Sequence, residues 1–434
     1  MYINQITKSE KTVITALIAI MLVIPLSHYY CVYNYLPASA MARAIYGVSL
    51  LCLMSVVYSL FSKYKIRFQL PELLFGTLVL LRFASYYFSP DRLTALKGAS
   101  GRNEGLIMLL CYYLIFFTTR FVVSDKGKNI IINTFLGICT VHSIYGLCQF
   151  FDAGPRFIFD SYHYAISGVT GNPNFMGSLM VIALGISAGM FLYFPDKVKK
   201  LIYFVITLLF AAVLVLTRTM SAYVGAAAMG VVFIILVDLE IKKRKGTKIA
   251  LFSLFIVFVL AVVLVIVADK ILYGLISKEI GNSLNQLYVF ITTGYADESF
   301  ASGRLVIWKN AIGIAPDYLL TGVGIDCFEA AYTQNAGMLM GRFVDKAHNE
   351  LLQILVTMGL PAMLCYIAIY ATVLTDLLKK FKNEKNKYLN AALILAFCGY
   401  IVQAMFNISV MDVAPYFWIV MGLMARPLVT DSSK

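Results

Sequence analysis

Arginine is concentrated on one predicted side of this chain, where its side chain is suited to bind a phosphate or a carboxylate. These arginines are predicted at outside or outer-leaflet positions: Arg82, Arg92, Arg102, Arg156, Arg218, Arg304 and Arg342. A guanidinium group stays charged and donates two parallel hydrogen bonds to one oxyanion. The other connections carry mainly lysine, which suffices to orient a membrane protein. The distribution predicts an anion site, although single arginines could instead pair with nearby carboxylates or contact lipid.

Two of these arginines occupy the most informative positions. Arg218 is predicted at the outer membrane boundary, between two apolar segments that leave no room for a loop, and a charge costs ~2.5–3.5 kcal/mol on insertion scales at a helix centre and less near the interface. Arg304 opens a stretch in which Leu305, Trp308 and Ile312 recur at helical spacing, which predicts an amphipathic helix lying on the outer surface. A basic residue in a first helical turn opposes the helix dipole unless an anion also binds there. Both positions favour phosphate binding over the alternative of a headgroup contact.

His348 is the histidine best placed for proton transfer. It ends a long polar connection and directly precedes an apolar segment, so it is predicted at the outer membrane surface. Neutral imidazole accepts a proton near pH 7, and Asn349 and Glu350 could orient the ring. A structural role is an equal alternative for one interfacial histidine. The remaining histidines are interpreted as structural: His28, His142 and His163.

The apolar segments that must position these residues dominate the composition. Of 434 residues, 60% are hydrophobic and 14% are charged, with a mean hydropathy of +0.80, far from the usage of soluble domains. The apolar runs span about 12–30, 41–61, 70–88, 105–123, 129–150, 172–194, 200–217, 219–237, 249–268, 349–374, 388–408 and 411–425. Each has the length of a transmembrane helix. The sequence predicts an all-α, polytopic membrane bundle of about 12 helices, with residues 1–434 forming one integral membrane domain.

Charge distribution predicts the orientation of the bundle. The net charge of +13 resides mostly in the lysine-rich connections, so it indicates topology and not nucleic-acid binding. We expect a multi-pass protein of the cytoplasmic membrane with both termini in the cytoplasm. The arginine side, including the long loop at 269–347 with short amphipathic helices, is then extracytoplasmic. That loop is the expected place for chemistry.

Metal and cofactor chemistry has little support in the residue pattern. The eight cysteines show no paired spacing, and most fall within apolar runs, where they pack as small hydrophobes. The adjacent carboxylates Asp297 and Glu298 are more typical of a solvated loop. We therefore expect no metal ion and no cofactor.

Several short motifs, taken in order over roughly residues 100–365, resemble those of the O-antigen ligase and polymerase superfamily. They are Gly101 to Leu106; Tyr145 and Gly146 with Gln149; Gly171 to Asn174; Arg218 between two spans; Ser302 to Arg304 with Trp308; Gly322 to Gly324 with Phe328; and His348 and Asn349 with Leu352 and Gly359. One departure is Thr217, where members of the superfamily more often have serine before the arginine.

The resemblance implies a metal-independent, inverting glycosyltransferase that moves a glycan from an undecaprenyl-diphosphate carrier to an acceptor hydroxyl. Arg218 and Arg304 would hold the diphosphate, and His348 would act as the base or orient the acceptor. Further residues are candidates for binding the diphosphate or the glycan: Arg102, Gln149, Asn172, Asn174, Trp308, Arg342 and Asn349. The expected partners are the lipid-linked glycan donor, a glycan, lipid or protein acceptor, and membrane lipids.

Two alternatives to a ligase remain at this stage. A polymerase of lipid-linked repeat units differs only in its acceptor, and the sequence does not separate it from a ligase. A transporter or flippase of lipid-linked sugars belongs to another class and would place charges deep within the spans. The central parts of the predicted spans carry few charges, which favours the transferase.

Overall fold

Helices account for nearly all regular structure in the computed structural model of the chain. The structure describes residues 6–34, 36–61, 64–66, 69–122, 124–153, 165–244, 266–267, 269–271, 274–294, 303–383, 386–425, 427 and 429–431. In chain order the elements are α1 (Lys8–Tyr33), α2 (Ala38–Leu60), β1 (Tyr64–Ile66), α3 (Leu70–Phe88), α4 (Arg92–Lys97), α5 (Leu106–Thr119), α6 (Asp125–Phe150), α7 (Pro173–Tyr193), α8 (Lys197–Leu216), α9 (Met220–Arg244), α10 (Leu275–Thr293), α11 (Arg304–Ile314), α12 (Phe328–Ala336), α13 (Glu350–Asn383), α14 (Lys387–Ala404), α15 (Ala414–Met424) and β2 (Val429–Asp431).

The predicted all-α membrane fold is confirmed. Among the described residues, eight helices are long and apolar enough to cross a membrane, and α5 and α15 are shorter apolar helices. Every predicted apolar segment coincides with one of these helices or with α3, except the segment at 249–268, which lies almost wholly outside the described residues. The number of twelve spans therefore stays a prediction.

The two ends of the bundle are distinguished by their polar contacts. At one end, Arg120 after α5 forms a buried ion pair with Glu72 in the first turn of α3, and the Ser124 hydroxyl donates to Glu10 in α1 at 2.8 Å. At this end β1 also pairs antiparallel with β2 near the C-terminus. Lys380 lies at this end as well and donates to the carbonyls of Met424 and Ala425 at 3.1 and 2.9 Å, so the described parts of the lysine-rich connections agree with the alternating charge pattern. We call this end the lysine end, and the opposite end, which holds residues 89–105, 303–349 and 405–413, the arginine end.

Small residues let α7 and α14 approach each other closely. A Cβ atom added to Gly189 would lie 2.3 Å from the Cα of Ala392, and one added to Gly185 would lie 2.6 Å from the Cα of Ala396. In lipid, helices associate by such close packing because the hydrophobic effect provides little force between apolar helices. This contact fixes α7, whose first turn belongs to the arginine end.

Helix α13 is broken at Gly359 (φ +85°), and the break creates binding sites for a neighbouring loop. Because Pro361 has no N–H, the carbonyl of Thr357 lacks its ordinary helical donor. It accepts instead from Gly324 N at 3.1 Å and from Ser85 Oγ at 2.8 Å. The loop at 322–327 is thereby docked onto α13.

The segment between α9 and α13 contains the predicted short helices, with one correction. Helix α11 forms as predicted, but its buried residues are Ile307, Ala311 and Ile314, whereas Ile312 is 60% exposed. The predicted apolar face was wrong because α11 packs against α12, the adjoining 3-10 turn and α13, and these contacts select the buried face. Helix α10, which no apolar run predicted, carries an exposed apolar stripe at Leu284, Leu287, Tyr288 and Ile291.

Replacing Arg120 by methionine is expected to destabilise the bundle strongly, because the Glu72 carboxylate would be left buried without its cation. Breaking such a buried pair costs about 3–5 kcal/mol, which thermal melting in detergent would detect. Arg43→Met is the control, since Arg43 is exposed and its guanidinium makes only a 3.4 Å contact with Ser39. Equal melting temperatures for the two variants would contradict the importance of the Glu72 pair.

Candidate functional site

Six of the described non-glycine residues have left-handed backbone conformations, and four of them lie in the Arg218 turn or in the loops around His348. The four are Asn103 (φ +56°), Arg218 (φ +54°), Asp326 (φ +60°) and His348 (φ +50°). Such conformations cost of order 1–3 kcal/mol each and concentrate at binding and catalytic sites. Two of the four are the arginine and the histidine for which the sequence predicts chemistry, and the other two lie in loops that contact the His348 loop.

Residues 345–349, here called the His348 loop, are held on both sides of the histidine. Asp345 forms an ion pair with Arg102 (Nε to Oδ2, 2.6 Å). The backbone carbonyl of Ala347 accepts from Trp308 Nε1 at 3.0 Å, and its N–H donates to Gln353 Oε1 at 2.8 Å. Trp308 and Arg102 therefore position the loop, whereas their predicted roles in substrate binding stay predictions.

The residues after His348 are also fixed by hydrogen bonds. Asn349 donates from Nδ2 to the carbonyl of Met405 at 3.1 Å and accepts at Oδ1 from Leu352 N at 3.0 Å. Glu350 accepts from Tyr366 OH at 2.5 Å. Neither side chain orients the imidazole, so the expectation that Asn349 and Glu350 would do so is wrong. The start of α13 uses both groups for its own capping and packing.

His348 and Arg304 are brought together. The pKa of His348 is lowered to about 4, mainly by burial and also by Arg304, Arg102 and Lys346, while Asp345 acts in the opposite direction. Within the described part of the chain, His348 Nδ1 is buried and makes no hydrogen bond. Burial also lowers the pKa of Arg304, although a guanidinium remains protonated in proteins. The imidazole is thus neutral at pH 7 and faces a cationic surface.

Arg218 lies in the turn between α8 and α9, at the same end of the bundle. Its N–H donates to the carbonyl of Val215 at 3.1 Å, and the hydroxyls of Thr217 and Thr219 lie 3.0 Å apart. The turn packs on α7 so tightly that a Cβ atom added to Gly177 would lie 2.4 Å from Thr219 Oγ1. Thr217, which departs from the superfamily pattern, donates from Oγ1 to the carbonyl of Leu214 in its own helix at 2.7 Å.

The first turn of α7 uses its polar residues for structure. Asn172 caps the helix, accepting from Asn174 N at 2.8 Å, as the sequence predicts. Gln149 accepts from Gly168 N at 2.8 Å. Asn407 Nδ2 donates to the carbonyl of Asn174 at 3.3 Å. The predicted contacts of Gln149, Asn172 and Asn174 with substrate stay predictions.

Residues 405–409 connect the Arg218 turn with the His348 loop. Met405 accepts from Asn349, and Phe406 packs its ring 5.7 Å from that of Trp308. Asn407 reaches α7, whose Gly177 contacts the Arg218 turn. All three predicted catalytic residues thus belong to the arginine end, with Arg304 and His348 adjacent and Arg218 joined to them through α7 and this connection.

Two other arginines of the predicted group differ from each other in burial. Arg82, predicted at outer-leaflet depth, is only 2% exposed and donates to the carbonyl of Leu109 at 3.4 Å. The sequence pattern predicts only how deep in the membrane a residue lies. Whether neighbouring helices bury the residue at that depth depends on the packing of the bundle. Arg342 is exposed and its backbone pairs with Leu339, so its predicted role in binding stays a prediction. Arg156 lies outside the described residues.

A small cavity of about 60 Å³, lined by both apolar and charged side chains, lies behind the His348 loop. Its charged lining residues are Arg82, Glu104, Asp326, Lys346 and Glu350. This volume holds only a few water molecules, so the cavity is too small for a sugar. Sequence analysis missed this group because its members are distant in sequence and have no recognisable spacing.

The fold and the arginine end define a multi-pass membrane protein that presents clustered cations and one neutral histidine. Residues 204–367 match a family model described as O-antigen ligase. This segment contains Arg218, Arg304 and His348. The match confirms the resemblance to the O-antigen ligase and polymerase superfamily and indicates a membrane function of that type. No curated protein matches the chain.

Proposed function

We propose that this protein transfers a glycan from an undecaprenyl-diphosphate carrier to an acceptor hydroxyl at the outer face of the cytoplasmic membrane. The observation that carries the proposal is the contact of α11, which Arg304 opens, with the His348 loop, where Trp308 Nε1 donates to the carbonyl of Ala347 at 3.0 Å. The guanidinium thereby lies near the imidazole and opposes its protonation. One group suits a diphosphate and the other suits a hydroxyl proton. Together they provide both functions that glycosyl transfer from a lipid diphosphate requires.

The arginines bind and stabilise the leaving group in this proposal. A diphosphate gains negative charge as the bond between the glycan and its oxygen breaks, and fixed guanidinium groups stabilise that charge. Arg304 is partly buried, so solvent screens its charge less than that of an exposed arginine. Two arginines can therefore serve a lipid-linked donor without a metal ion.

His348 provides the base for the acceptor. The acceptor hydroxyl attacks the anomeric carbon from the face opposite to the diphosphate, so the configuration inverts. The hydroxyl proton passes to His348, the new glycosidic bond forms, and the electron pair of the broken bond stays on the lipid diphosphate. His348 is neutral at pH 7 and so is able to accept this proton, and the negative charge of the bound diphosphate raises its low pKa in the complex, which makes it a stronger base.

The arrangement of the two ends supports an extracytoplasmic site. The described parts of the lysine-rich connections lie opposite the Arg304 and His348 pair, and cytoplasmic connections are enriched in basic residues. We infer that both termini are cytoplasmic and that the lipid-linked donor enters the site from the outer leaflet. Cysteine labelling at Arg43→Cys from outside intact cells tests this orientation, since Arg43 is exposed and follows the connection between α1 and α2.

The decisive experiment supplies the purified protein with an undecaprenyl-diphosphate oligosaccharide and candidate acceptors. We expect a product with inverted anomeric configuration, identified by mass spectrometry and nuclear magnetic resonance. One addition to an anchor identifies a ligase, whereas a ladder of lengthened chains identifies a polymerase. Movement of the donor between leaflets without any transfer would contradict the proposal and identify a transporter.

A further inference from the structure

Lys346 is a buried cation at the centre of three loops. Its ammonium Nζ lies 2.5 Å from Asp326 Oδ1 and 3.4 Å from Glu104 Oε2. The lysine and the two carboxylates are 4%, 4% and 6% exposed, respectively. A buried ammonium would be very unfavourable without such partners. The three side chains, here called the lysine cluster, therefore form or break as a unit.

The carboxylates of the cluster also bind backbone and hydroxyl groups of their neighbours. Asp326 Oδ2 accepts from the N–H groups of Ala99 (2.7 Å) and Glu104 (3.3 Å). Glu104 Oε1 accepts from Tyr112 OH at 2.9 Å and from Ser409 Oγ at 3.3 Å. The cluster thus joins the loop before α5, the loop before α12, the His348 loop and residues 405–409.

The contacts of the lysine cluster hold loops that contain residues with unfavourable backbone conformations. Asp326 and His348 both have positive φ, and so does Asn103 beside Glu104. A left-handed non-glycine residue persists only where surrounding contacts hold it there. Lys346 is two residues from His348, and the intervening Ala347 is itself fixed by Trp308 and Gln353. The lysine cluster is therefore the buried ionic anchor of the chain directly before Ala347 and the imidazole.

We propose that Lys346, Asp326 and Glu104 are positioning residues that hold His348 in its reactive place beside Arg304. The inference rests on the proposed function, because it assigns these residues to the geometry of the same site. None of the three touches substrate in this account. They act through the His348 loop, where a misplacement of about 1 Å is able to reduce a rate by about 10²-fold.

The Glu72 and Arg120 pair at the lysine end provides a matched comparison. It too is a buried ion pair between connected helices, with side chains 4% and 0% exposed, but it lies at the opposite end from His348. Loss of either pair destabilises the bundle, whereas only the lysine cluster affects His348. A purely structural role for the cluster therefore predicts equal effects of Lys346→Met and Glu72→Gln on turnover per folded molecule.

Protonation of His348 distinguishes positioning from stability. The charged groups facing the imidazole are Arg304 from α11, Arg102 from the loop before α5, and Asp345 and Lys346 from its own loop. Because Lys346 lowers the pKa of His348, removing its charge is expected to raise that pKa. The change is measurable without any turnover, from the pH dependence of diethyl pyrocarbonate modification of His348 read by peptide mass spectrometry.

The test compares Lys346→Met, Lys346→Arg, Asp326→Asn and Glu72→Gln in the full-length protein, with turnover corrected for the folded fraction. We expect kcat to fall about 10²-fold in Lys346→Met and by a similar factor in Asp326→Asn. The donor KM should change little. Lys346→Arg should recover part of the rate. In Lys346→Met the midpoint of His348 modification should move to higher pH, while Glu72→Gln should match wild type in both measurements.

Each outcome separates the inference from the proposed function. Normal kcat in Lys346→Met and Asp326→Asn, with an inactive His348→Ala, would overturn the inference and leave the proposed function intact. An active His348→Ala would overturn the assignment of the base. The modification profiles of wild type and Lys346→Met would still test whether Lys346 acts on His348. If Lys346→Met does not fold, Lys346→Arg and the isosteric Asp326→Asn decide the question, because both retain most of the buried hydrogen bonds.

Discussion

Replacing Arg304 by alanine is expected to reduce kcat/KM for glycan transfer by about 10²–10³-fold, the usual loss when one donor to a developing negative charge is removed. Arg304 opens α11 from a backbone turned by Gly303 (φ +79°), so its guanidinium starts from the N-terminal end of the helix, where an anion is favoured. Arg304→Lys should recover only part of the rate, because an ammonium cannot form the bidentate contact.

The matching substitution at Arg218 is expected to have an effect of the same order. Arg43→Ala provides the control for both, since Arg43 is exposed and hydrogen-bonds only within its own helix. All variants should insert and melt like wild type. If the turnover of Arg304→Ala stays within threefold of the Arg43→Ala control, Arg304 does not hold the diphosphate. Such a result would indicate that the diphosphate is attracted by the basic surface as a whole, which does not depend on one arginine.

The sequence predicted the spans well where local signals and membrane thickness agree. Helix α3 begins and ends at 70 and 88 as predicted, because Gln69 and Glu72 form a capping box, Pro71 favours the first turn and the apolar run stops before Ser89. Asn172 was likewise predicted as a cap and confirmed. In such cases the residues that define the element lie next to one another in the sequence.

Elements that depend on distant contacts were not predictable in this way. The face of α11 was wrong because Ile307 and Ala311 are buried by α12 and α13, which a helical pattern does not reveal. Helix α10 was missed because its apolar residues are interspersed with polar ones and form no continuous run. Its exposed stripe is typical of a helix lying at a membrane surface.

The candidate site was only partly predictable for the same reason. Arginine and histidine types, together with the side of the membrane, indicated Arg218, Arg304 and His348. The lysine cluster was not indicated, because Glu104, Asp326 and Lys346 are far apart in sequence and each resembles an ordinary loop charge. The conformation of Asp326 could not be foreseen either, since a positive φ at a non-glycine residue has no reliable sequence signal.

His348 is expected to be the residue whose loss has the largest effect. His348→Ala should lower kcat by roughly 10²–10⁴-fold, the contribution of a positioned general base, with the donor KM almost unchanged. His28→Asn is a suitable comparison, because His28 pairs with Asp412 at 2.7 Å and is not part of the proposed machinery. A small and equal loss in the two variants would show that the imidazole at position 348 is structural.

The pH dependence of the wild-type enzyme tests the same role without substitution. Burial and the nearby cations hold the pKa of His348 at about 4 in the free protein, so kcat/KM should decline only as the pH falls through that region. A bound diphosphate adds negative charge beside Arg304, which favours the imidazolium and raises the pKa. Since kcat reports the complex and kcat/KM the free enzyme, the acidic limb of kcat should lie at higher pH. Acidic limbs at the same pH in the kcat and kcat/KM profiles would contradict a shared site for the diphosphate and the base, because a charge bound in the same pocket must shift the pKa of the imidazole.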